Sequence, residues 1–146
     1  MSTSSLGATL DAIQAGLAAR PGLADVNVFS GPVSIEEAGQ ECIAFGDARL
    51  NEEAMAMGGN RWEVWNIEGE TRVVKSWEGS TEETIKAARD RALELFAETE
   101  TYLNDTYTGD LPDAEVSSGE LQQLIGGEGR VCRLIFTLQM KDEKNP

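Results

Sequence analysis

The side chains of this chain that could do chemistry are its carboxylates, its serines and threonines and two cysteines, because histidine is absent. That absence removes Ser-His-Asp and Cys-His nucleophilic catalysis, histidine-ligated metals and any histidine pH switch. Adjacent carboxylates recur at Glu36/Glu37, Glu52/Glu53, Glu82/Glu83 and Asp142/Glu143. Acid–base work needs two carboxyl groups with separated pKa values in a concave site, and adjacency in sequence supplies neither. Asp105, Asp110, Asp113 and Glu115 offer hard oxygen ligands, but their spacing matches no calcium-binding loop of the EF-hand type. Gly126-Gly127-Glu128-Gly129 is followed by strand-like residues rather than a helix, so it reads as a strand turn and not a phosphate cradle. Cys42 and Cys132 lie far apart among strand-like residues and read as small buried hydrophobes. A bridge between them requires their strands to be neighbours. The expectation is therefore no enzyme, no cofactor and no metal.

What remains is binding, and charge restricts the partners. The chain has 12 Lys+Arg against 26 Asp+Glu, a formal charge of −14. Specific nucleic-acid binding needs cations that displace counterions from phosphates, and anionic lipid needs the same sign, so both are disfavoured. No apolar run approaches a membrane span. Met1-Ser2-Thr3-Ser4-Ser5 lacks a basic stretch followed by a long apolar one, so no secretory signal is expected. At 146 residues, with 40% hydrophobic and 26% charged, the expectation is one globular domain over 1–146, ending in a polar, frayed tail at 141–146.

Hydrophobic spacing predicts the elements. Leu6, Leu10, Ile13 and Leu17 share one helical face, closed by Arg20-Pro21-Gly22. Val26–Phe29 and Glu41–Gly46 read as short strands able to pair as an antiparallel hairpin. Residues 48–60 read as a Gly-bounded loop whose Met55 and Met57 either fold back on the core or form a soft contact arm with Glu52, Glu53 and Asn60. Arg61–Ile67 and Thr71–Trp77 read as a second hairpin turning at Gly69. It carries Trp62, Trp65 and Trp77, which read as core anchors, with at least one in a subunit interface. Ser80-Thr81-Glu82-Glu83 is a capping box, and Ile85, Ala88, Ala92, Leu95, Thr99 and Tyr102 form one stripe of a helix over Thr81–Leu103. Two strands, about 114–124 and 130–140, close the chain. The expected fold is α+β, an antiparallel or mixed sheet with two amphipathic helices on one face, in the order α-β-β-β-β-α-β-β.

This layout resembles that of the tail terminator proteins of long-tailed phages and related tail-like particles. The likeness runs across nearly the whole chain. It comprises the opening helix Leu6–Leu17, the strand Val26-Asn27-Val28-Phe29 leading to Gly31-Pro32, and the strand Glu41-Cys42-Ile43-Ala44-Phe45-Gly46 before a loose loop. The Glu63–Val74 hairpin, the Glu/Ala/Arg-rich helix Thr81–Leu103, the loop Asp105–Asp110 and the final strand Arg130–Met140 complete it. The resemblance implies a structural virion protein made in the host cytoplasm and located at the head-proximal end of the tail. It implies a homo-hexameric ring that caps the tail tube protein, stops its polymerisation and presents its other face to the head–tail connector protein. DNA would pass through without specific binding. Interface residues expected on this reading are Glu52, Glu53, Met55, Met57, Asn60, Trp62 and Trp77. The alternative is a small acidic secretion-type chaperone, usually dimeric, that binds a partner segment.

Overall fold

The computed structural model describes residues 6–55, 61–77, 79–107, 113–126 and 129–144. The chain runs α1 (Leu6–Ala18), a 3-10 turn (Pro21–Leu23), β1 (Asn27–Phe29), the one-turn helix α2 (Ile35–Ala38), β2 (Glu41–Met55), β3 (Arg61–Ser76), α3 (Thr81–Tyr107), β4 (Asp113–Gly126) and β5 (Gly129–Lys144). The five strands form one mixed sheet in the order β1-β2-β3-β5-β4. The α+β class stands, with α1 and α3 joined to one face of the sheet in a single core. That core is built from Ile13 and Leu17 of α1, Ala88, Ala92 and Leu95 of α3, and alternate strand residues such as Ile43, Phe45, Ile67, Leu134, Phe136 and Leu138.

The stripe expected on α3 is buried where the helix crosses the sheet: Ala88, Ala92, Leu95 and Thr99 are all inaccessible. Its N-terminus carries the expected capping box. The amide of Glu83 donates to Ser80 Oγ at 3.2 Å, and the amide of Ser80 donates to Glu83 Oε2 at 3.3 Å. Thr71 Oγ1 donates to the Ala92 carbonyl at 3.1 Å, tying β3 to α3 inside the core. Arg91 clamps the other edge of that helix, with Nε and Nη2 donating to the two oxygens of Glu41 at 2.9 and 3.0 Å. The Glu41 hydrogen bonds hold the Arg91 proton still more tightly than usual. Helix α1 comes close to α3 at Gly16, where any Cβ would collide with the Tyr102 ring, and Tyr102 Oη donates to the Ala12 carbonyl at 3.2 Å.

Four expectations are corrected. First, β1 and β2 are parallel, with Val28 opposite Ile43. The intervening chain is long enough to cross over and holds α2, itself capped by Ser34 and Glu37. Second, there is no turn at Gly69, because Arg61–Ser76 is one unbroken strand. Gly69 lies directly across from Phe45 on β2 and Phe136 on β5, and a Cβ there would sit 2.5 Å from Phe136 Cζ. The glycine makes room for an aromatic ring rather than bending the chain. Third, residues 48–55 are strand, paired with β3 as far as Met55 opposite Arg61, and two register shifts (Phe45/Ala48 and Leu50/Glu52) bend this half. Fourth, the tail is not frayed at residue 141. β5 continues to Lys144, where its last four residues pair with Arg61–Val64 and add a third strand beside the outer halves of β2 and β3.

Candidate interaction surface

The expected interface residues separate into two places. Glu52, Glu53 and Met55 fall on the outer half of β2, and Trp62 is placed on β3 opposite Ala54. Met57 and Asn60 lie outside the described residues. Trp77 sits past the other end of β3, 15 residues along an extended strand, on the order of 50 Å from Trp62. One patch cannot contain both ends. Of the three tryptophans, Trp65 packs partly against the core, its indole N–H donating to the Glu63 carboxylate beside it. Trp77 is 47% exposed and carries the Arg130 guanidinium over its ring at 5.2 Å.

The cysteines are buried, free and separated. Cys42 faces Arg72 across β2–β3, whereas Cys132 faces Val73 across β3–β5, so a whole strand lies between them. Val73 and Cys132 belong to the helix-covered core, while Cys42 alternates with core residue Ile43 and points to the other face. A bridge is excluded. Burial pushes both thiols above their ordinary range, for Cys42 against the opposing pull of Arg72. Neither is an activated nucleophile.

The face away from the helices carries a charged cluster. Glu70 bridges two arginines, accepting from Arg72 Nη2 at 2.6 Å and Arg133 Nε at 2.7 Å. Arg72 and Arg133 are directly opposite on adjacent strands, so the shared carboxylate relieves a like-charge pair. Arg72 Nε and Nη1 are buried without a hydrogen-bond partner among the described residues. A second feature is a concavity of about 790 Å³ beside the bent half of β2, lined among others by Asp47, Arg49, Leu50 and Glu68.

The exposed apolar surface is concentrated elsewhere, on the edge strand β4. Leu121, Leu124 and Ile125 are exposed, Ile125 at 77%, and Leu93 of α3 and Leu50 of β2 are exposed as well. Leu121 and Ile125 stand opposite Leu134 and Arg130 of β5, on the side that α3 covers. Ile125, Arg130 and Lys75 thus form a row across the end of the sheet, with Trp77 two residues beyond Lys75 under the Arg130 guanidinium. Beside it, Ile85 and Ala88 of α3 and Gln123 and Leu124 of β4 line a cleft of about 240 Å³. Of these residues sequence reasoning placed only Trp77 in an interface. The available signal was Leu121-Gln122-Gln123-Leu124-Ile125, a strand stretch without charge or proline.

Among the described residues no group of three His, Cys, Asp or Glu is arranged to hold a metal ion, and no helix is long and apolar enough to cross a membrane. What the arrangement offers chemically is backbone pairing at strand edges, apolar contact and a few charges. Set against known proteins, the chain matches no family model and no curated protein.

Proposed function

We propose that this chain is a ring-forming tail terminator, which caps a tail tube, ends its polymerisation and joins it to the head-side connector. The observation that carries the reading is a strongly acidic subunit whose single helix-backed sheet keeps unpaired strand on both sides. On one side β1 covers only Cys42–Ala44 of the 15-residue β2, and on the other β4 is a full-length edge. Subunits of a ring need two different faces, and a sheet with two dissimilar edges supplies them. A negative subunit suits a passage for DNA, which must slide and not adhere. The outer halves of β2 and β3, paired with the end of β5, offer a further contact surface for a neighbour or the tube. The chemistry is assembly, with no catalytic role.

The test adds purified protein to polymerising tail tube protein and measures tube lengths by electron microscopy. A terminator shortens and narrows the length distribution at substoichiometric ratio and appears as a ring-sized density at one tube end. Tubes of unchanged length with bare ends refute the reading. The cleft beside β4, lined by Ile85, Ala88 and Leu124 together with Gln123 and Arg130, also favours a second reading, a chaperone holding an extended partner segment. A dimer of twice 15.8 kDa that is insensitive to salt selects that reading over six copies, about 95 kDa, whose −14 subunits assemble better as salt screens their repulsion.

A further inference from the structure

Like charges directly opposite on neighbouring strands repel. Arg72 and Arg133 are such a pair, on the face away from the helices, and the shared Glu70 carboxylate neutralises them. Lys75 and Arg130 are another, at the end of β3 and the start of β5. Counting alternate residues from Val73 and Cys132 puts both on the helix side of the sheet. Among the described residues neither forms an ion pair, and the Arg130 Nε is buried with no hydrogen-bond partner. The guanidinium is held over the Trp77 ring at 5.2 Å, with no acceptor in place of Glu70. In a chain of charge −14, two half-buried cations side by side without a carboxylate between them form a vacant anion receptor.

Two clefts beside the first turns of α3 open next to this pair. One, of about 300 Å³, is lined by Lys75, Ser76, Thr84 and Ala87, and by Glu83, whose Oε2 is engaged by the Ser80 amide. The other, of about 240 Å³, is lined by Arg130 with Ile85, Ala88 and Leu124. Both lie at or below the lower bound of the roughly 300–1,000 Å³ typical of small-molecule sites, so each suits a side chain rather than a whole metabolite. The second opens beside β4, an edge strand whose free backbone groups align an extended chain. We propose that this end of the sheet binds an extended acidic segment of a partner protein. A carboxylate of the segment seats between Lys75 and Arg130, and the apolar side chain two positions away enters the cleft at Ile85. Charge complementarity selects the occupant: the −14 chain repels an acidic segment in general, and this unneutralised pair attracts it. The site goes beyond the ring reading, because it serves any assembly partner carrying such a segment and does not need a ring to close.

The probe is the blocked peptide acetyl-Thr-Leu-Thr-Glu-Thr-amide, titrated into the isotope-labelled full-length protein and followed by NMR, with the glutamine-for-glutamate peptide as control. The expected result is saturable shifts of the Trp77 indole N–H and of the Lys75, Gln123 and Leu124 amides. Affinity falls at least about tenfold for the glutamine peptide, and equally for the acidic peptide with Lys75→Gln protein. Because Lys75 and Arg130 repel, Lys75→Gln melts no lower than wild type while losing the peptide, a combination that a merely structural lysine would not give. Arg130→Gln is the second variant and loses the peptide to the same extent. Equal affinity for the two peptides, shifts that saturate elsewhere on the sheet, or no shifts up to about 10 mM peptide overturns the proposal. A Trp77 signal that moves when the free protein is diluted, with peptide binding only after dilution, would seat a second copy in the site and overturns the occupant. None of these outcomes bears on the tube-length assay, so the terminator reading stands or falls separately.

Discussion

Replacing Gly69 with alanine separates a glycine that turns the chain from one that makes room for a ring. In the sheet Phe45, Gly69, Phe136 and Gly119 lie in one row across β2, β3, β5 and β4. The Phe136 ring packs edge-on to Phe45 at 6.1 Å and against Phe96 of α3 at 5.5 Å, so it cannot move toward either. A Cβ at residue 69 would meet Phe136 Cζ at 2.5 Å and Cε2 at 2.6 Å, inside any real contact distance. Such overpacking of a filled core costs about 1–3 kcal/mol. Gly69 does not have a positive φ, so alanine adds no backbone strain and returns about 0.4–1 kcal/mol by restricting the unfolded chain. The net expectation is a loss of about 1–2 kcal/mol, read as a Tm lower by about 2–8 °C for a domain of this size.

Magnitude alone does not decide between the readings, because alanine in a glycine turn also destabilises. The decisive quantity is coupling. Phe136→Leu removes the ring atoms that the new methyl would strike, so the double variant should be more stable than the two single losses added together, by about 0.5–2 kcal/mol. Urea unfolding of wild type, both single variants and the double variant closes the cycle. Additive losses within about 0.3–0.5 kcal/mol, or a Gly69→Ala protein as stable as wild type, would refute the packing account.

Three further outcomes are expected. Ser80→Ala removes the side-chain half of the capping box on α3 and should cost about 1 kcal/mol in urea unfolding, with the m-value unchanged. In native protein at pH 8 neither thiol should react with a disulfide reagent within minutes, and both should react in denaturant; since their folded pKa values are raised, the stability contributed by the buried neutral thiols is full below the ordinary thiol range and is lost as the pH climbs from there through the raised folded values. Glu70→Ala leaves Arg72 facing Arg133 with no shared carboxylate and should cost about 1–3 kcal/mol, whereas Arg72→Leu removes two buried unpaired nitrogens and should be near neutral or stabilising in thermal unfolding.

The helices were legible because their signals are local. The 4-3-4 spacing of Leu6, Leu10, Ile13 and Leu17 and the Ser80/Glu83 box each lie within a few turns of chain, and the fold keeps both. The strands were legible as segments, and along β5 Leu134, Phe136, Leu138 and Met140 alternate into the buried face. Their pairing was not legible. Whether β1 runs parallel to β2 depends on where eleven intervening residues cross, and Gly69 reads as a turn until Phe136, 67 positions away, is known to lie over it. Glu68-Gly69-Glu70 has the composition of a hairpin loop, and only a partner far along the chain overrides that local preference.

The surface was less legible for a related reason: exposure at an edge depends on strand order. Met55 and Met57 attracted attention as soft side chains bounded by glycines, yet the backbone at Met55 is committed to a ladder with Arg61. Leu121 and Leu124 fall within the strand expected over about 114–124, and they and Ile125 would be covered on both sides if β4 lay inside the sheet. The order β1-β2-β3-β5-β4 puts them on the boundary instead. The same five residues, Leu121-Gln122-Gln123-Leu124-Ile125, therefore mean core or docking edge according to a neighbour the sequence does not specify. An acidic chain that keeps this stretch free of gatekeeping charge, while bending and charging its other open edge, has protected one side and left the other able to pair.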